Sequence, residues 1–152
     1  MAANVAQLRP RDPDDDTVID NTIPHVLVPP GDYTLTYIRH QKFRYMGRQP
    51  KCLVVFKVMD CGQHFEQAIP AFYRVRKFTK DGRLVAGPRS RLVRDLQACG
   101  IVGARKDRLG VGWLSGLLVT GRVGTVGKDG DGDELHEASR YSVVTKLIGS
   151  AQ

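Results

Sequence analysis

From Asp32 onward apolar and polar side chains take turns, with Tyr33, Leu35 and Tyr37 alternating against Thr34 and Thr36. A period of two is the mark of a half-buried β-strand, and Val28-Pro29-Pro30-Gly31 ahead of it makes a stiff turn. The run KCLVVFKVMD, Lys51 to Asp60, predicts a second strand, with Cys52, Val54, Phe56 and Val58 on a dry side and Lys57 interrupting the other. Cys61-Gly62 turns the chain into a third, less regular strand over 63–72, where Phe65, Gln67 and Ile69 oppose His64, Glu66 and Ala68 and where Pro70 ends or bends the run. These three strands predict an antiparallel meander. The stretch FRYMGRQPK, residues 43–51, reads as the loop between the first two.

The pattern then changes. Gly87-Pro88-Arg89-Ser90 is a breaker followed by a capping residue, and Leu92, Val93, Leu96 and Cys99 recur at helical spacing before Gly100. A glycine-rich connection leads to a strand over 117–128, and the segment from Glu134 to Ile148 returns as its hairpin partner, with Tyr141, Val143, Thr145 and Leu147 alternating against Ser142, Val144, Lys146 and Ile148. Three strands, a helix and two strands predict a mainly β fold, a five-stranded Greek-key barrel of the oligonucleotide- and oligosaccharide-binding (OB) type with one helix between strands three and four. In that fold the outer face of strands two and three and the loops joining strands one to two and four to five line the groove. Tyr33, Phe56, Phe65 and Tyr141 are expected in the core, and Trp113 at the barrel end or anchoring its loop.

Length and composition fit this picture. The chain has 152 residues, 41% of them hydrophobic, enough for one core in one domain. That domain is expected over 24–149. Residues 1–23 hold five Asp and two Arg and little to bury, which predicts a disordered acidic tail. The formal net charge is +7, and residues 24–100 alone carry fourteen Lys and Arg against five acids, so the positive field is concentrated in the middle of the chain. There is no apolar run of the ~18 residues a membrane helix needs and no secretory signal pattern at the start, so a cytoplasmic, non-membrane protein is expected.

Catalytic chemistry has little to stand on. There is no Walker-type phosphate loop, GxSxG or HExxH, and His25, His40, His64 and His136 are scattered, so no catalytic residue and no enzyme is expected. Cys52, Cys61 and Cys99 form an odd set without CxxC spacing, which speaks against a disulfide framework or structural zinc. KDGDGDE, Lys128 to Glu134, has the alternating carboxylates of a calcium loop, but Arg140 stands where the closing acid belongs, so a hairpin tip is expected and no metal or cofactor.

Binding chemistry is better represented. Unpaired nucleic acid presents phosphates and bare base faces, and a surface that holds it without sequence preference needs cations and flat rings in alternation. Arg39, Lys42, Arg44, Arg48, Lys57, Arg74, Arg76 and Lys77 are the candidate phosphate contacts, and Phe43, Tyr45 and Tyr73 the candidate stacking rings. Arg89, Arg91 and Arg94 on the helix read as a solvated face or an additional phosphate track. The alternative is that the basic face is turned toward an acidic protein, making the chain an OB-type interaction subunit of a nucleoprotein complex.

With these elements in place, VPPGDYTLTY, KCLVVFKVMDCGQHF, GPRSRLVRDL and RYSVVTKLI, within residues 28–148, resemble the small OB-fold single-stranded DNA-binding proteins of bacteriophages and mobile elements. The resemblance implies sequence-tolerant binding of single-stranded DNA, with RNA and oligomerisation left open, in replication, recombination or transfer of such an element. Bacterial housekeeping binders recruit partners through an acidic C-terminal tail. Here the acidic run is N-terminal, so replication or recombination proteins would be recruited by another route.

Overall fold

Strand β1 (Gly31–Tyr45) starts directly after Pro29-Pro30 and is followed by β2 (Gln49–Val58), β3 (Ala68–Arg74), the short β4 (Lys77–Phe78) and β5 (Leu84–Val85), helix α1 (Arg91–Ala98), β6 (Leu118–Val126) and β7 (Tyr141–Ser150). The computed structural model describes residues 24–45, 47–101, 109–128, 133–136 and 139–151. The acidic tail over 1–23 and most of the carboxylate-rich hairpin tip lie outside those residues.

Five strands form one antiparallel sheet in the order β3-β2-β1-β6-β7, while β4 and β5 pair by themselves as a small hairpin. The fold is mainly β, with one α-helix among the described residues, between the third and fourth strands of the main sheet. Because direction alternates across the sheet, its edge strands β3 and β7 run the same way. They approach one another, and α1 packs against both.

The core is built from the inward positions of the strands. Leu35, Val54, Phe56, Val58, Ile69, Tyr73, Val119, Val144 and Leu147 are buried there together with Leu92, Val93 and Leu96 of the helix. Gly121 is needed among them: a Cβ at that position would lie 2.5 Å from Leu35 Cδ1. The helix begins as its sequence predicts, with Ser90 Oγ accepting from the Val93 N–H at 3.3 Å. Gly100, at φ +83°, follows its end.

Several sequence expectations are corrected by the backbone. Residues 43–51 are not a loop: β1 runs to Tyr45, β2 starts at Gln49, and the turn between them uses Gly47 at φ +70°. The pairing carries on as a hairpin beyond the last β1–β6 partners, Thr36 and Leu118, with a bulge between Tyr37 and Arg39. The third strand starts later than expected, because Glu66 N–H donates to Val58 O and Val58 N–H to Gln67 O, closing a turn ahead of it. Phe65 therefore lies in a turn and is 43% exposed, outside the core. Pro70 does not end its strand. It pairs with Val55 on a strand whose only ladder among the described residues is to β2, where a missing N–H is tolerated.

Of the remaining aromatic expectations, Phe56 is fully buried and Tyr33 packs on the core while its hydroxyl donates to Pro29 O at 2.6 Å. Tyr141 is half-buried with its ring 5.2 Å from that of His25. Bulges in the β6–β7 pairing interrupt the simple alternation, so the buried residues of β7 are Ser142, Val144 and Leu147. Trp113 is 39% exposed in a 3-10 turn (Val111–Leu114), with the Arg83 guanidinium 5.7 Å over its ring, so it anchors that loop.

Candidate nucleic-acid interface

Residues paired directly across an antiparallel ladder point to the same side of the sheet, so the registers sort every side chain of β1, β2 and β3 by face. The inward set on β2 is Cys52, Val54, Phe56 and Val58, which leaves Lys51, Leu53, Val55 and Lys57 facing outward. Their partners complete four outward rows: Phe43, Lys51 and Arg74; Gln41, Leu53 and Phe72; Arg39, Val55 and Pro70; Thr36, Lys57 and Ala68.

The middle of this face is an apolar floor, with Leu53, Val55 and Pro70 all buried. This differs from the expected single dry side of β2, whose residues Cys52–Phe56 are buried on both faces. Phe43 and Phe72 are half-buried on either side of the floor, two strands apart. Around them stand Arg39, Lys51, Lys57 and the exposed Arg74.

Lys51 and Arg74 occupy directly opposed positions. Like charges so placed destabilise a ladder, and the Lys51 ammonium is held below its usual pKa by burial and then by the Arg74 charge. Arg48, Lys57, Arg74, Arg76 and Lys77 make no ion pair among the described residues. An anion bridging Lys51 and Arg74 would relieve the repulsion their register imposes.

The expected site residues divide on this geometry. Arg39, Phe43, Lys57 and Arg74 share the outward face, and Arg48 is exposed in the turn at its end. Tyr45 closes β1 opposite Gln49, and its side chain lies outside the described residues. Arg44 is on the other side, its guanidinium 5.3 Å from the Phe78 ring centre, and Arg76 and Lys77 are exposed at the β4–β5 hairpin.

Two expectations are corrected. Lys42 pairs with Cys52 on the inward side and is buried, its Nζ 3.4 Å from Gly82 O and 6.0 Å from the Phe78 ring centre. Tyr73 is also inward, 1% exposed, and its hydroxyl donates to Asp95 Oδ2 at 2.7 Å. Neither can reach a ligand on the outer face. The hairpin of β4 and β5 covers the inner side of the β1–β2 extension, which is what buries Lys42.

Phe72 and Lys51 belong to the basic, aromatic clusters of the sequence but are not among the expected contact residues. The signal was present in the period of two: once Tyr73 is inward, Phe72 and Arg74 must share the opposite face.

Beneath the face, Tyr37 Oη lies 2.6 Å from His40 Nδ1. Burial, and then the neighbouring Lys42 charge, lower the His40 pKa and favour the neutral ring. Cys52 is buried and its thiol is pushed up to about 12 by desolvation, which removes it as a nucleophile. No group of three metal-ligating side chains is found among the described residues. Nor does any helix among them have the length and apolarity to cross a membrane.

No family model matches this chain, and no curated protein and no solved structure matches it.

Proposed function

We propose that the chain is an OB-type barrel that binds single-stranded nucleic acid, DNA in the first instance, across the outward face of β1, β2 and β3, without catalysing a reaction. The order β3-β2-β1-β6-β7, the helix between the third and fourth sheet strands and the approach of β3 to β7 support the barrel reading. The observation that carries the binding reading is the convergence of Phe43, Lys51, Phe72 and Arg74 from three adjacent strands onto one face. Rings at its two sides offer stacking platforms, and Lys51 with Arg74 offers a phosphate seat between them. Backbone phosphates and base faces are common to every sequence, so this chemistry is sequence-tolerant. In this reading the protein covers exposed single strands during replication, recombination or transfer of a mobile element.

Fluorescence anisotropy with labelled oligo-dT and a duplex of equal length, over a salt series, tests the proposal. The expected result is preference for the single strand. In the Lys51→Ala/Arg74→Ala variant the log–log salt slope should be shallower by about 0.7 for each phosphate no longer neutralised. Equal, weak binding to both nucleic acids with no change in the variant would overturn it and favour a protein-interaction subunit.

A further inference from the structure

We infer that the bound single strand does not stop at β3 but continues over its edge and along the start of α1, on a phosphate track formed by Arg74, Arg76, Arg89 and Arg94. This deepens, and rests on, the reading of the β1–β2–β3 face given above.

Arg91 fixes the geometry. Its guanidinium donates to Phe72 O at 2.5 Å, lies 4.5 Å over the Tyr73 ring and stands 4.0 Å from Asp95 Oδ2. It is thus engaged with the protein and pins the first turn of α1 to the β3 backbone at Phe72, the residue whose ring belongs to the outer face. Arg74 lies two positions further along β3 on that same face. Beyond it, the Arg76 guanidinium comes 3.4 Å from where a Cβ on Gly87 would stand, and Gly87 O accepts from Ser90 N–H at 3.0 Å in the turn that leads into the helix. Arg89 lies in that turn, and Arg94 lies about one helical turn from Arg91 on the side away from buried Leu92, Val93 and Leu96. Arg74, Arg76, Arg89 and Arg94 are all exposed.

These charges serve no evident purpose within the fold. The acids near them in the chain are engaged elsewhere: Asp81 accepts from Thr79, and Asp95 is buried on Tyr73. The first turn of α1 contains no acidic residue, and arginines there oppose the helix dipole rather than complement it. Exposed cations that run from the end of β3 to the first turn of α1, where Arg94 opposes the helix dipole, and that lack carboxylate partners among the described residues match a partner with evenly spaced negative charge. The phosphate backbone already assigned to the adjacent face has that property.

The test is a length series of oligo-dT with the wild-type chain and an Arg89→Ala/Arg94→Ala variant. Wild-type affinity should rise with length until the face and the track are both filled. The variant should bind the shortest retained oligonucleotide as wild type does, stop gaining affinity at a shorter length, and show a salt slope on long oligonucleotides reduced by about 0.7 for each phosphate the track no longer holds. An Arg89→Lys/Arg94→Lys variant should restore the longer footprint. A double-alanine variant that follows wild type at every length, or that loses short and long oligonucleotides in equal proportion, overturns the track while leaving the face intact. Failure of the wild-type chain to bind any length overturns the face, and the track with it.

Discussion

Phe72 and Tyr73 are consecutive rings on β3, yet the first is half-exposed beside Arg74 and the second is sealed in the core with its hydroxyl on Asp95. Lys42 and Lys51 make the same contrast in charge: one is buried under the β4–β5 hairpin and the other sits on the outer face opposite Arg74. A segment rich in cations and rings therefore divides its side chains between two tasks residue by residue. The inward members hold helix, hairpin and sheet together, and the outward members form the surface proposed to bind. Composition identifies the segment, but only strand parity assigns the tasks.

The sharpest way to break this contrast is to exchange the effects of the two rings. Tyr73→Phe leaves the Asp95 carboxylate buried without its hydroxyl donor and should cost about 1–3 kcal/mol of stability in urea unfolding. Its affinity for oligo-dT should stay unchanged at temperatures where the variant is folded. Phe72→Ala should do the reverse, weakening binding by about 1–3 kcal/mol for the base stacked there with a smaller change in unfolding midpoint. If Tyr73→Phe weakened binding and Phe72→Ala did not, the faces would be wrongly assigned.

The lysine pair sharpens the same comparison with a smaller effect. Lys51→Met should flatten the salt slope of oligo-dT binding by about 0.7, the value of a single neutralised phosphate, whereas Lys42→Met should leave the slope where it was. Equal slopes for the two variants would remove Lys51 from the phosphate seat.

The smallest expected effect is in pH. Burial raises the Asp95 pKa above its ordinary 3.8, against the opposing pull of the Tyr73 and Leu147 hydrogen bonds and the Arg91 and Lys146 charges. The folded state then holds this proton more tightly than the unfolded chain does. Stability contributed by the protonated carboxyl is present below the unfolded value and is lost as pH rises through the raised folded value. Asp95→Asn cannot ionise, so its urea midpoint should lack that decline. A variant with the wild-type pH dependence over this range would show that Asp95 does not carry it.

Much of this was legible in the chain. Alternation marked the inward residues of β2, and the breaker and cap at Gly87 to Ser90 marked the start of α1. What was not legible came from contacts distant in sequence. The strand continuing through residues 43–45 depends on β2 pairing with it, and Phe65 is kept from its expected place because a backbone turn closes around Val58, Glu66 and Gln67.

By itself the sequence determined the local rules: which residues alternate, where the helix is capped, where glycine must stand, and how much positive charge the middle segment carries. These follow from backbone sterics and side-chain chemistry that act over a few residues. Only the tertiary structure decided which alternating set faces the core, that Lys51 and Arg74 are opposed, and that Arg91 ties α1 to Phe72. Those outcomes depend on strand register and on what packs over each face, and a one-residue change of register would turn every outward side chain inward.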